Sequence, residues 1–127
     1  MRFLPASVHQ MLDFIVGAAL ILAPYIFGFS EEGGAAVLLP QLIGAVAIVS
    51  GLITRGYGFA LARIIPLKTH MTMDFLAGVL LAASPWLFGF ADEEPSDWVP
   101  HLVVGLALVV VSLVTRTDED DRAETAA

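Results

Sequence analysis

The sequence predicts an all-α membrane protein: four transmembrane helices forming two parallel helical-hairpin repeats, related by a pseudo-two-fold along the membrane normal. Three observations predict it. Of 127 residues 57% are hydrophobic and only 15% charged, with a mean hydropathy of +0.82, whereas about a quarter of a soluble domain is charged. The apolar residues gather in four runs, 11–29, 37–54, 73–90 and 98–115, each about long enough to cross ~30 Å of hydrocarbon at 1.5 Å per residue. Finally, Ala23-Pro24-Tyr25-Ile26-Phe27-Gly28-Phe29 returns as Ser84-Pro85-Trp86-Leu87-Phe88-Gly89-Phe90. Only helices and closed barrels satisfy their backbone in lipid, and these runs lack the alternation of barrel strands.

Residues 1–8 form a short lead with Arg2 as its only charge. Ser7 and Gln10 have capping-box spacing for a first helix over about 10–27. Pro24 predicts a kink inside it, and Gly28 followed by Phe29 a C-terminal glycine cap. A first span carrying Asp13 and matched by an internal copy is not a cleaved signal peptide. The acidic turn at Glu31 and Glu32 is short, so a second helix over about 37–54 packs antiparallel, with Pro40 near its start. These elements make up repeat 1, residues 9–55.

Residues 56–69 connect the halves. Tyr57, Phe59, Leu61, Ile64 and Ile65, mixed with Arg63 and Lys68, predict a short interfacial helix broken at Pro66. Repeat 2, residues 70–116, has helices over about 70–88 and 98–115, joined by a turn containing Asp92, Glu93, Glu94 and Asp97. Residues 117–127 read as a disordered acidic tail.

Arg2, Arg55, Arg63, Lys68, Arg116 and Arg122 all fall on one side of this arrangement. The positive-inside rule then places both termini and the connector in the cytoplasm of a cell (inner or plasma) membrane, with a multi-pass topology. Each half contributes two spans, so both halves enter from the same side and the repeats are parallel.

The internal match pairs His9 with His70, Asp13 with Asp74, Gly17 with Gly78, Pro24 with Pro85, and Thr54-Arg55 with Thr115-Arg116. With Ser84-Pro85-Trp86 verbatim in the second copy and Ala23-Pro24-Tyr25 in the first, the chain resembles the SPW-repeat family of small integral membrane proteins. That resemblance implies membrane location and duplication, and carries no settled activity.

Ionisable side chains within apolar helices are candidates for function. His9 and Asp13 share a helix face, as do His70 and Asp74, each pair four residues apart. One reading is a proton relay or a two-His, two-Asp cation site on the pseudo-two-fold axis. The other makes each aspartate structural, near its helix N-terminus and paired with Arg55 or Arg116. Depth near the interface favours the second. Pro24, Tyr25 and Gly28, with Ser84, Pro85, Trp86 and Gly89, read as kink, aromatic belt and cap; Ser84 can satisfy the carbonyl that Pro85 frees, which Ala23 cannot do for Pro24. Asp13, Gly17, Leu20, Pro24 and Phe27 form one stripe. Gly44 with Gly51, and Gly105 with Ser112, form small-residue packing seams.

The chain has no cysteine, which excludes thiol redox chemistry and thiolate metal sites. Its net charge of −7 speaks against nucleic acid. The acidic loops lack calcium-loop spacing and read as solvated turns; His101 has only Gln41 opposite it. No metal ligand set is assigned, no cofactor is expected, and no catalytic set points to an enzyme. The reading is a structural, accessory or self-associating membrane subunit, whose partners are the bilayer and copies of itself or another membrane protein. The alternative is a small proton- or cation-coupled transporter or channel using the His/Asp residues.

Overall fold

Proline or glycine stands at the start of every helix in the computed structural model of the chain, which describes residues 2–55, 57 and 60–117. Helix α1 spans Ala6–Ile26, α2 Gly34–Leu52, α3 Leu67–Leu87 and α4 Pro95–Val114. Pro5 and Pro66 are the extended N-caps of α1 and α3, with ψ of 146° and 145°. Gly33 precedes α2 after a single 3-10 turn at Ser30–Glu32, and Pro95 occupies the first turn of α4, where its missing N–H leaves no bond unmade.

Each helix begins three or four residues before the expected start. Hydropathy marks the part of a helix that suits hydrocarbon, while the backbone winds on into the polar boundary. The start of α1 also corrects the capping box: Ser7 lies inside the helix, no side chain caps it, and buried Gln10 donates to Gly51 O at 3.3 Å. Helices α1, α2 and α4 are long and apolar enough to cross a membrane. Helix α3 equals α1 in length but carries Lys68, Thr69, His70, Thr72 and Asp74 in its first half.

At the turn end of the bundle, Gly28 and Gly89 adopt φ of 77° and 79°, a region where other residues are strained. The chain reverses there, so that Phe29 N–H reaches Pro24 O at 2.8 Å and Phe90 N–H reaches Pro85 O at 2.7 Å. Both phenylalanines are thereby folded inward and buried. Phe27 and Phe88 point outward instead, so the expected stripe is buried only from Asp13 to Pro24.

The helices pair as α1 with α2 and α3 with α4, with fewer contacts between the pairs. Opposed glycines set the crossings. A Cβ on Gly17 would lie 2.8 Å from Gly44 O, and one on Gly78 2.7 Å from Gly105 O. The close approaches therefore run across each hairpin, Gly17 to Gly44 and Gly78 to Gly105. Gly51 instead meets the Phe14 ring, and Ser112 bonds its own helix at Val109 O. Leu20, Leu81 and Leu108 form the apolar centre between the hairpins.

At the opposite, connector end the hairpins exchange short parallel bridges, Leu4 with Thr115 and Thr54 with Ile65. The lead of the first hairpin thus pairs with the end of the second, and the lead of the second with the end of the first. Arg2 adds bonds to Ser112 O and Thr115 O, at 3.2 and 2.7 Å, onto carbonyls that a helix C-terminus leaves unpaired.

These bridges correct the expected interfacial helix: none occurs among the described residues of the connector. Leu61 N–H bonds Leu52 O, and Ile64 and Ile65 N–H bond Ile53 O. Carbonyls at the end of α2 claim donors that a connector helix would have used internally. Of the expected disordered tail, all but Thr117 lies outside the described residues.

Candidate functional site

In the first two turns of α1 and α3, at the connector end, the four expected ionisable side chains converge. His9, Asp13, His70 and Asp74 are 1%, 3%, 0% and 7% exposed. Each supplies one ligand atom, and these atoms all lie within 4.8 Å of one another. His9 Nε2 is 2.7 Å from Asp74 Oδ2 and 3.1 Å from Asp13 Oδ1. His70 Nε2 is 3.0 Å from Asp13 Oδ2 and 3.3 Å from Asp74 Oδ2. Helical spacing aligns each His–Asp pair on one face; the approach of α1 and α3 turns two pairs into one quartet.

The exchanged bridges place a threonine behind each imidazole. His9 Nδ1 meets Thr115 Oγ1 at 2.6 Å, and His70 Nδ1 meets Thr54 Oγ1 at 2.7 Å. Both hydroxyl protons are already committed, Thr115 to Val111 O at 2.6 Å and Thr54 to Ser50 O at 2.5 Å. The threonine oxygens must therefore accept, which puts a proton on each Nδ1. Each Nε2 is left facing the carboxylates. Neutrality of the buried quartet requires two further protons, shared among the two Nε2 atoms and the two carboxylates.

Tyr57 breaks the symmetry. Its buried hydroxyl donates to Asp13 Oδ2 at 2.7 Å and lies 3.3 Å from His70 Nε2. The residue that the internal sequence match sets against Tyr57 is Asp118, outside the described residues. Tyr57 is expected from the sequence only as an interfacial aromatic, and its place beside Asp13 follows from the tertiary structure.

The arginine pairing expected for the aspartates is overturned. Asp13 and Asp74 are bound by histidines and Tyr57, while Arg55 is exposed and Arg116 N–H bonds Leu4 O. Both arginines stand beyond the last helical turns, Arg55 exposed and Arg116 half-buried. An apolar crevice of about 130 Å³, lined by Leu42, Val46, Met73 and Ala77, reaches both aspartates from between α2 and α3.

At the turn end, His101 is also buried, a placement the sequence did not reveal. Its ring lies between those of Phe29 and Phe90, at centroid distances of 5.1 and 4.8 Å. Its Nε2–H donates to Ala36 O at 2.7 Å, the carbonyl whose intrahelical donor is missing because residue 40 is proline. Ser84 does the same for the other hairpin, donating to Leu81 O at 2.6 Å where Pro85 has no N–H. Tyr25 and Trp86 are exposed, and Trp86 packs edge-on against Trp98.

Glu32, Glu93 and Asp97 gather where the two turns meet. Desolvation, the charges of Asp97 and Glu93, and a hydrogen bond to Asp97 together raise the Glu32 carboxyl above its ordinary range.

Apolar helices, glycine crossings and an internal polar cluster define a small helical membrane protein. The family model of the SPW repeat domain matches residues 7–115, and the chain belongs to that family. No curated protein and no solved structure matches it.

Proposed function

We infer that the protein is a small, non-enzymatic subunit of a cell membrane, structural or accessory in role, that associates with copies of itself or with another membrane protein. All four helices span, as two parallel repeats, with both termini on the cytoplasmic side. The basic residues among the described termini and connector, Arg2, Arg55, Arg63, Lys68 and Arg116, support that orientation. Exposed Tyr25 and Trp86 fit the aromatic belt at the far side.

One observation carries the reading: the strongest polar chemistry in the chain is turned inward and partnered. The quartet joins the first hairpin to the second and acts as a clasp. The outward faces of the helices, including Leu38, Leu42, Val46, Val49, Val103 and Val110, are apolar and exposed, as lipid or a helical partner requires. Cross-linking in native membranes followed by mild-detergent purification tests association. A dimer or larger species, or a stoichiometric membrane partner, is expected; a lone monomer with no partner rejects the reading.

The crevice that reaches Asp13 and Asp74 supports a second reading, a proton- or cation-coupled transporter or channel. Reconstituted vesicles should then show a flux that disappears in Asp13→Asn and Asp74→Asn. No flux under any imposed gradient rejects it.

A further inference from the structure

We propose that His9, Asp13, His70 and Asp74 bind one divalent transition-metal ion of the Zn²⁺ class, in a tetrahedral set of two imidazole nitrogens and two carboxylate oxygens. The inference builds on the clasp reading, because it gives those four side chains a ligand.

Geometry comes first. Both Nε2 atoms and both carboxylates already face a common centre, with all four ligand atoms within 4.8 Å of one another. Zinc bonds nitrogen and oxygen ligands at about 2.0–2.2 Å, so the edges of its tetrahedron are about 3.3–3.6 Å. The four imidazole–carboxylate contacts run from 2.7 to 3.3 Å, His9 meeting Oδ1 of Asp13 and His70 its Oδ2. The shortest contact has to open by about 0.6–0.9 Å, and any pair at the 4.8 Å limit to close by about 1.2–1.5 Å, to admit the ion.

The surroundings are those of a ligating histidine. A metal-bound imidazole donates its other N–H to a fixed acceptor, which sets tautomer and ring orientation. Here Nδ1–H of His9 is held by Thr115 and that of His70 by Thr54, and both hydroxyls are locked to helix carbonyls. The Tyr57 hydroxyl holds Asp13 in the same way. These supports leave Nε2 as the ligating atom in both rings.

Charge agrees as well. Two carboxylates and two neutral imidazoles carry −2, so a divalent ion leaves the buried site neutral, and each hairpin supplies one histidine and one aspartate. Imidazole nitrogens select against Mg²⁺ and Ca²⁺, which take oxygen ligands. Four protein ligands close the coordination sphere, which marks a structural site and gives the ion the task of stapling the hairpins.

The test uses the full chain in mild detergent, stripped with a chelator and titrated with Zn²⁺ alone. One ion per chain is expected, with a raised melting temperature, no competition from Mg²⁺, and the intense visible absorption of tetrahedral Co²⁺ on substitution. Asp74→Asn should weaken binding at least tenfold. Thr115→Val, which removes no ligand, should weaken it about 10- to 100-fold and carries the test if Asp74→Asn does not fold. Glu93→Gln, in the separate acidic cluster, should leave affinity unchanged. Absence of stoichiometric Zn²⁺ binding overturns the proposal, as does undiminished binding in folded Asp74→Asn or Thr115→Val, or binding lost in Glu93→Gln. The clasp itself is read separately, from the stability of the metal-free quartet variants.

Discussion

His9 lies closer to Asp74 of the other hairpin, at 2.7 Å, than to Asp13 one turn along its own helix, at 3.1 Å. His70 shows the same preference, 3.0 Å to Asp13 against 3.3 Å to Asp74. The intrahelical pairs visible in the sequence are thus subordinate to cross-pairs that join the hairpins.

Removing one charge from the quartet should therefore loosen the whole bundle. Asp74→Asn is expected to destabilise by about 3–5 kcal/mol, the cost of leaving a buried charge without its partner. Unfolding in detergent followed by circular dichroism measures it. A double-mutant cycle with His9→Asn should show strong coupling, because the two changes remove one shared interaction.

Thr54→Val and Thr115→Val each strand an imidazole Nδ1–H. A loss of about 1–3 kcal/mol is expected for each, as for any buried donor left unsatisfied. Tyr57→Phe should cost a similar amount, measured in the same unfolding assay.

At the helix crossings, Gly105→Ala should be the most damaging glycine change. Its Cβ would press on the backbone of Ala82 and on Gly78 O, and neither can yield as a side-chain tip can. A loss of about 1–3 kcal/mol is expected. Gly51→Ala should cost less, since its nearest neighbour is the edge of the Phe14 ring at 3.1 Å.

Gly28→Ala tests the turn instead. Nothing lies within 4 Å of the added methyl, yet φ is +77°, so backbone strain alone should cost about 1–2 kcal/mol. Gly28→Asn should recover part of that loss in the same assay.

Acidity should act through Glu32. Its carboxyl is raised in the folded chain, so the folded state holds that proton more tightly than the unfolded state. The resulting stability is present below the unfolded value and is lost as pH rises through the folded one. Melting temperature across that window should fall more steeply in the natural chain than in Glu32→Gln; equal slopes would reject the assignment.

Local patterns carried the fold a long way. Four apolar runs, the glycines at 28 and 89 and the short acidic turns were enough for two helical hairpins, because hydropathy, helix period and turn chemistry act over a few residues of chain. The His9/Asp13 and His70/Asp74 pairs were legible for the same reason. Their partners were not. Which carboxylate an imidazole meets depends on how each helix is rotated about its axis and how far it slides along its neighbour. Those quantities are set at a distance, by Gly17 against Gly44, Gly78 against Gly105, and the exchanged bridges at Thr54 and Thr115. The expected arginine pairing does not form because His9, His70 and Tyr57 occupy both carboxylates, and threonines brought from the opposite hairpin turn those histidines inward. So too at His101, whose purpose emerges only when Pro40 on another helix leaves Ala36 O without its donor. The sequence by itself determined the helices, their pairing into hairpins and the four polar residues; tertiary packing alone decided that these four form one site, since only packing specifies contacts between distant turns.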